Sequence, residues 1–98
     1  MAQFDVYRMA QSELVLDIQT DLLGKFESRI VVPLMPPEDA PLAHSRLNPP
    51  MIVENRPYVM VTQFMIAVRR ADLHKPIANL TNRCDAIRSA LDMIFVGF

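Results

Sequence analysis

The chain has 98 residues, of which 51% are hydrophobic and 21% are charged, with a formal net charge of -1. This length predicts a single domain spanning residues 1–98, at a size where dimerisation often adds buried surface, and the composition excludes a disordered chain. The scattered arginines argue against a general phosphate-binding surface, and no apolar run reaches the roughly 18 residues of a membrane span. Because Cys84 is the one cysteine and no secretion signal opens the chain, we expect a cytoplasmic protein.

The first third of the chain has the alternating pattern of β-strands. Gln3–Tyr7 and Glu13–Thr20 predict two half-buried strands, the second with leucine and isoleucine on one face and Asp17 and Gln19 on the other. After a loop at Asp21–Ser28, the segment Arg29–Met35 is rich in β-branched residues. Because its Pro33 has no N–H to donate, we expect that residue at a sheet edge or a bulge.

Prolines dominate the next segment, Pro36–Pro50, and exclude a helix or a central strand there. We expect a loop with at most one helical turn around Leu42–Leu47. The pattern of Met51–Phe64 predicts a hairpin that turns at Glu54–Arg56, and Ile66–Val68 predicts a short fifth strand.

The last segment follows a helical period. Thr81 or Asn82 can cap its start, and Gly97 suits the left-handed residue that ends many helices. The apolar stripe of this amphipathic helix is Cys84, Ile87, Leu91, Ile94 and Phe98. The predicted fold is mainly β (α+β): about five antiparallel strands in a strongly bent sheet or partly open barrel, closed by one C-terminal helix.

The end of that helix is unusual. Asp92 falls in the last turn, where the helix dipole disfavours a negative charge by about 0.3–1 kcal/mol. The apolar tip that follows either folds back into the core or stays exposed to anchor a partner. Burying one large apolar side chain in an interface can contribute about 1.5–3 kcal/mol. The sequence pattern leaves both interpretations open.

Several segments together resemble one protein family. They are "VYR" near the start, "LDIQTDLLG" (Leu16–Gly24), "RIVVPLM" (Arg29–Met35), "YVMVTQFM" (Tyr58–Met65) and "IRSALDMIFVGF" (Ile87–Phe98). In order and spacing the set is similar to the CcdB toxins, the gyrase-poisoning half of plasmid and chromosomal toxin–antitoxin modules. The likeness runs nearly end to end.

The resemblance implies a homodimer of SH3-like, partly open barrels without catalytic activity of its own. Such a toxin binds the A subunit of DNA gyrase and holds the enzyme in its DNA-cleaved state. A cognate antitoxin removes the toxin from gyrase, and the toxin–antitoxin complex represses its own operon. Direct contact with nucleic acid, a membrane or a cofactor is not expected.

The resemblance also implies a gyrase-binding set in this chain. It departs from the best-known family pattern at two positions, where Val96 replaces a tryptophan and Asp92 replaces an asparagine. A domesticated homologue that binds antitoxin without poisoning gyrase is therefore an alternative. The implied set is Leu22, Leu23, Asp92, Phe95, Val96, Gly97 and Phe98.

A further alternative is an endoribonuclease toxin of the MazF/Kid type, which is similar in fold. Arg70, Asp72 and His74 are spaced two residues apart and would share a face on an extended segment. They could supply the acid, base and phosphate-binding group that RNA cleavage needs. The interpretation without a catalytic role is that Arg70 and Asp72 form a solvated ion pair and that His74 is a surface residue. No metal site is expected, because the histidines and the cysteine are few and widely spaced.

Overall fold

The computed structural model describes residues 2–41 and 44–97, and within these ranges seven antiparallel strands and one α-helix are formed. The strands are β1 Asp5–Arg8, β2 Leu14–Asp17, β3 Ser28–Met35, β4 Pro50–Val53, β5 Arg56–Met60, β6 Ile66–Arg69 and β7 Ala78–Asn79, and the helix is α1 Cys84–Val96. The predicted mainly β fold, a nearly closed antiparallel barrel with one C-terminal helix, is confirmed. The predictions about Phe98 and Leu42 lie outside the described residues.

Strand β3 organises the sheet. The order is β4-β5-β3-β2-β1-β7, and β6 pairs with the first half of β3 on the side where β5 pairs with its end. Pro33 therefore sits within a central strand and not at the predicted sheet edge. It lies between the last β6 pair, at Val31, and the first β5 pair, at Leu34, and its carbonyl accepts a hydrogen bond from Val61 N at 3.0 Å. The nitrogen of Pro33, which carries no N–H, faces this gap, so no hydrogen bond between strands is lost.

Strands β1 and β2 are shorter than predicted and are buried on both faces. Phe4 precedes β1 with a φ of 72°, which ends the extended backbone there. All four residues of β2 are buried, including Asp17. The prediction of half-buried strands is wrong because a second, smaller apolar cluster covers the face that was expected to meet solvent. That cluster contains Tyr7, Val15, Val31 and Leu73.

The hairpin of β4 and β5 turns through two residues with positive φ, Glu54 at 52° and Asn55 at 64°. This pair of left-handed residues gives the two-residue turn that matches the twist of the strands. The predicted turn is one residue too long, since Arg56 already pairs with Val53.

Helix α1 packs against the main core from Cys84 to Leu91. Ile87 and Ala90 are fully buried, whereas Ile94 of the predicted apolar stripe is exposed. The predicted side-chain cap is wrong: a 3₁₀ turn at Thr81–Arg83 leads into the helix, and the Thr81 hydroxyl bonds to Asn79 instead. The predicted closure by Gly97 is confirmed by its φ of 81°.

Candidate functional site

The C-terminal end of α1 presents large apolar side chains to solvent. Phe95 is 69% exposed and Val96 is 57% exposed. Gly97 N donates to the carbonyls of Asp92 and Met93 at 3.1 and 3.2 Å, which fixes the last turn. The left-handed closure therefore holds this apolar end in a defined position.

Asp92 is exposed on the same last turn. Within the described residues it forms no ion pair, and no basic residue occupies the last turn of the helix to offset the dipole. Its charge therefore remains unfavourable for the helix itself.

A second exposed apolar group lies in the 3₁₀ turn Asp21–Leu23. Leu22 is 93% exposed, and Leu23 is also exposed. Two hydrogen bonds hold the start of the turn: Thr20 Oγ1 accepts one from Leu22 N at 3.4 Å, and Asp21 Oδ1 accepts one from Gln3 N at 2.7 Å. Leu22 is thus displayed by a fixed turn and lacks apolar packing.

A buried glutamine joins this turn to the sheet. Gln19 is buried; its Nε2 donates to the Leu23 carbonyl at 3.1 Å, and its Oε1 accepts from Ile30 N at 3.1 Å. Because both ends of the side-chain amide are used, Gln19 couples the position of the turn to strand β3.

Gln19 is held in turn by a buried ion pair. Arg29 donates to Asp17 Oδ2 from Nε at 2.9 Å and from Nη2 at 2.6 Å, and both side chains are fully buried. Arg29 Nη2 also donates to the Gln19 carbonyl at 3.3 Å, and Asp17 Oδ1 accepts from Gln19 N at 3.0 Å. Arg29 Nη1 has no hydrogen-bond partner within the described part of the chain.

Burial changes the proton affinities of two groups in this region. Desolvation raises the pKa of Asp17 despite the opposing hydrogen bonds from Arg29. Desolvation, followed by the nearby carboxylates of Asp5 and Asp17, raises the pKa of Tyr7 to about 12. The alternating pattern predicted Asp17 on a polar, solvent-facing side of the strand, so this buried network was not expected. The alternation of Asp17 with Gln19 was the only visible signal.

The three residues proposed for RNA cleavage do not come together as predicted. Arg70–Asp72 forms a 3₁₀ turn, so the segment is not extended and its alternate residues do not share a face. Asp72 and His74 line one cavity of about 390 Å³ together with Arg8. Arg70 lines a different cavity with Glu27. Arg8, and not Arg70, therefore lines the cavity of Asp72 and His74.

Two of these groups already have partners. Arg8 forms an ion pair with Glu54 at 3.0 Å, and Asp72 forms one with Arg69 at 3.5 Å. Both pairs are exposed, so each is weak and can exchange for a ligand.

Among residues 2–41 and 44–97, no three His, Cys, Asp or Glu side chains are grouped so that they could hold a metal ion. Over the same ranges, no helix has the length and apolar character needed to cross a membrane.

Comparison with protein families gives one match over nearly the whole chain. A family model described as "CcdB protein" matches residues 3–97. No curated protein gives a significant match.

Solved structures share the fold at low sequence identity. One described as "Endoribonuclease from Mycobacterial species" gives a TM-score of 0.72 at 12% identity, covering 95% of this chain and 88% of its own. "Crystal structure of Mtb toxin" gives 0.71 at 15%, covering 95% and 99%. "Endoribonuclease in complex with its cognate antitoxin from Mycobacterial species" gives 0.68 at 14%, covering 95% and 90%.

These structures correct one prediction. The expectation that a toxin of this kind has no catalytic activity of its own is contradicted, because two of the three similar structures are described as endoribonucleases. At these identities the likeness establishes the shared fold. Catalysis on RNA therefore becomes a function to be tested directly.

Proposed function

The chain belongs to the CcdB family of toxins, and from this premise we propose that it binds the A subunit of DNA gyrase and traps the gyrase–DNA cleavage complex. It is a toxin of a toxin–antitoxin module and has an antitoxin as its partner. We expect both proposed partners, gyrase and the antitoxin, in the cytoplasm, and we therefore propose that the protein acts there. Contact with its own operator would be made through the antitoxin.

The exposed apolar end of α1 carries this proposal. Phe95 and Val96 are held outside the core by a closed helix terminus. An exposed phenylalanine gains nothing for folding, whereas its burial in an interface can contribute about 1.5–3 kcal/mol. The neighbouring Asp92 is likewise unfavourable for the helix, so the requirements of folding do not explain this surface.

The proposed gyrase-binding surface combines this helix end with the 3₁₀ turn at Asp21–Leu23. Val96 offers less contact area than the tryptophan of the best-known family pattern, and Asp92 would have to lose its hydration on binding. We therefore expect weaker binding than a tryptophan at Val96 would give. The surface consists of Leu22, Leu23, Asp92, Phe95, Val96, Gly97 and Phe98.

A plasmid-cleavage assay tests the proposal. Purified protein is incubated with host gyrase, ATP and supercoiled plasmid, followed by detergent and protease. We expect linear DNA with the native chain and at least about tenfold less with Phe95→Ser, as loss of a central aromatic contact predicts. Ile52→Ser is the control, since Ile52 is an exposed apolar residue on β4 and is not a member of the proposed surface. Absence of linear DNA, or equal loss with both variants, contradicts the proposal.

A second candidate function, endoribonuclease activity, is favoured by the similar structures and by one cavity. The cavity of Arg8, Asp72 and His74 holds the three kinds of group needed for internal attack of a 2′-hydroxyl on its phosphate. Asp72 would accept the proton of the 2′-hydroxyl as the bond from the 2′-oxygen to phosphorus forms. His74 would protonate the 5′-oxygen as the bond from phosphorus to that oxygen breaks, and Arg8 would bind the phosphate.

Matched arginine variants test this second function. Cleavage of a single-stranded RNA by purified protein should fall with Arg8→Ala and with His74→Ala, and should be retained with Arg70→Ala because Arg70 lies in another cavity. A substrate with 2′-deoxyribose should remain intact. Equal activity of all variants would assign the cleavage to a contaminant and contradict this function.

We also propose that the protein acts as a homodimer. Phe64 and Ile66 are half exposed at and just before the start of β6, where they form a candidate apolar contact for a second copy. The family resemblance implies the same assembly.

A further inference from the structure

The exposed leucine of the 3₁₀ turn depends on the turn itself for its position. Leu22 is 93% exposed, so almost none of its surface packs against the rest of the protein. The backbone of the turn therefore decides where this side chain meets a partner. A group that is already fixed before binding loses less conformational entropy in the interface.

The two ends of the turn are held by different groups. At the start, the side chains of Thr20 and Asp21 accept hydrogen bonds from backbone N–H groups. At the end, Gln19 Nε2 donates to the Leu23 carbonyl at 3.1 Å. No other side chain of the described residues forms a hydrogen bond with residues 23–26, and the other bonds of the turn join backbone atoms of the same loop. The end of the turn is therefore tied to the sheet through Gln19.

Two glutamines replace a bond between the strands where the loop leaves the sheet. Ile18 N donates to the Ile30 carbonyl at 3.1 Å, and in a regular antiparallel pair Ile30 N would return a bond to the Ile18 carbonyl. Here Ile30 N donates to Gln19 Oε1 at 3.1 Å. The Ile18 carbonyl accepts from Gln3 Nε2 at 3.1 Å instead. Gln19 thus takes one bond from the sheet and passes one to the turn.

Burial keeps Gln19 itself out of an interface. Gln19 is 7% exposed, so a partner that covers the turn contacts Leu22 and leaves the glutamine untouched. An effect of Gln19 on binding therefore passes either through the position of Leu22 or through the stability of the whole fold. These two routes give different results when a second residue is changed.

From these contacts we infer that Gln19 is a positioning residue that sets the affinity for the gyrase A subunit through the exposed side chain of Leu22. The inference deepens the proposed function and rests on it. Without the bond to the Leu23 carbonyl, the end of the turn is released and Leu22 has to be ordered during binding. The affinity falls as a result.

A double-mutant cycle on immobilised gyrase A subunit, read by surface plasmon resonance, tests this inference. Gln19→Met keeps the length of the side chain and removes both amide hydrogen bonds. We expect about tenfold weaker binding in the native background and less than about twofold when Leu22→Ala is already present, because the positioned contact is then absent. In the Val96→Ala background the loss should again be about tenfold, because Val96 lies on α1.

A core variant controls for lost stability. Val53→Ala makes a small cavity in the main core on β4, which pairs with β5 and carries no residue of the turn. Urea unfolding should show that Val53→Ala is destabilised, while its gyrase binding stays native. Native-like amide spectra establish that every variant is folded.

Amide hydrogen exchange reads the turn without gyrase. In Gln19→Met the amides of Leu23 and Gly24 should exchange at least about tenfold faster than in the native chain, and in Val53→Ala they should keep the native rates.

The outcomes separate this inference from the proposed function. A native chain that binds gyrase, combined with unchanged exchange at the turn, equal losses in the native and Leu22→Ala backgrounds, or an equal loss with Val53→Ala, overturns the inference alone. A native chain that does not bind the gyrase A subunit overturns the proposed function, and the binding role of Gln19 with it.

Discussion

Asp17 and Arg29 connect the interior of the barrel to its most exposed leucine. The pair fixes the backbone of Gln19, whose side chain holds the Leu23 carbonyl of the 3₁₀ turn. Sequence patterning could not find this pair, because it treats each charged residue as a marker of solvent. A second face covered by a few apolar residues is a property of the whole sheet.

Removing one partner of this pair should be far more harmful than removing both charges. Arg29→Met leaves Asp17 buried without a counter-charge, which typically costs about 3–5 kcal/mol. Asp17→Asn keeps the oxygen that accepts from Gln19 N and removes the charge. We therefore expect the double variant Asp17→Asn/Arg29→Met to be more stable than Arg29→Met alone in urea unfolding. A double variant that is no more stable than the single one would contradict this account.

Tyr7 gives a prediction about alkaline pH. The unfolded tyrosine loses its proton near pH 10, whereas the folded pKa is about 12. Below about pH 10 both states are protonated and this residue adds no pH dependence; between about 10 and 12 the folded state retains the proton longer, so stability falls as pH rises. In Tyr58→Phe, where Tyr7 is the remaining tyrosine, absorbance at 295 nm should titrate near 12. A midpoint near 10 in the folded protein would contradict the burial argument.

At the scale of the elements, the two aspartates of α1 should have opposite effects on stability. Asp85 lies in the first helical turn, where the dipole favours it, and Asp92 lies in the last turn, where the dipole disfavours it. Asp92→Asn should raise the free energy of unfolding by about 0.3–1 kcal/mol, and Asp85→Asn should lower it by a similar amount. Denaturant unfolding at low and high salt checks both, since salt should shrink both effects. Effects of equal sign would show that net charge, not the dipole, is responsible.

Element types followed from local pattern, but element ends depended on contacts between distant residues. The period of α1 and the alternation around the hairpin were sufficient to predict both, as was the closure at Gly97. Strand β7 has two residues and forms because it pairs with β1. This pairing between distant residues cannot be predicted from the local sequence. Pro33 was expected at an edge because the gap between β5 and β6 cannot be seen along one strand.

Only part of the candidate site could be predicted, because some of its residues come together through contacts between distant parts of the chain. The sequence pattern left open whether the apolar tip folds back into the core or stays exposed, and the structure leaves Phe95 and Val96 exposed. Arg8 was missed as the neighbour of His74, because the two are 66 positions apart and meet only through the sheet. Arg70 was chosen on the assumption of an extended backbone, and a single 3₁₀ turn removes it from the group.

At the scale of the whole molecule, the proposed homodimer can be tested on the exposed face of β6. Ile66→Glu places a charge where we expect two apolar surfaces to meet, and because a twofold interface contains each residue twice, the effect is doubled. Losing about 1.5–3 kcal/mol at each copy predicts at least about a hundredfold weaker dimerisation. Ile52→Glu is the control, since Ile52 is exposed to a similar extent on β4. Sedimentation equilibrium should show Ile66→Glu as a monomer at concentrations where the native chain and Ile52→Glu are dimers; a native chain that remains monomeric, or two variants that dissociate alike, would remove β6 as the contact.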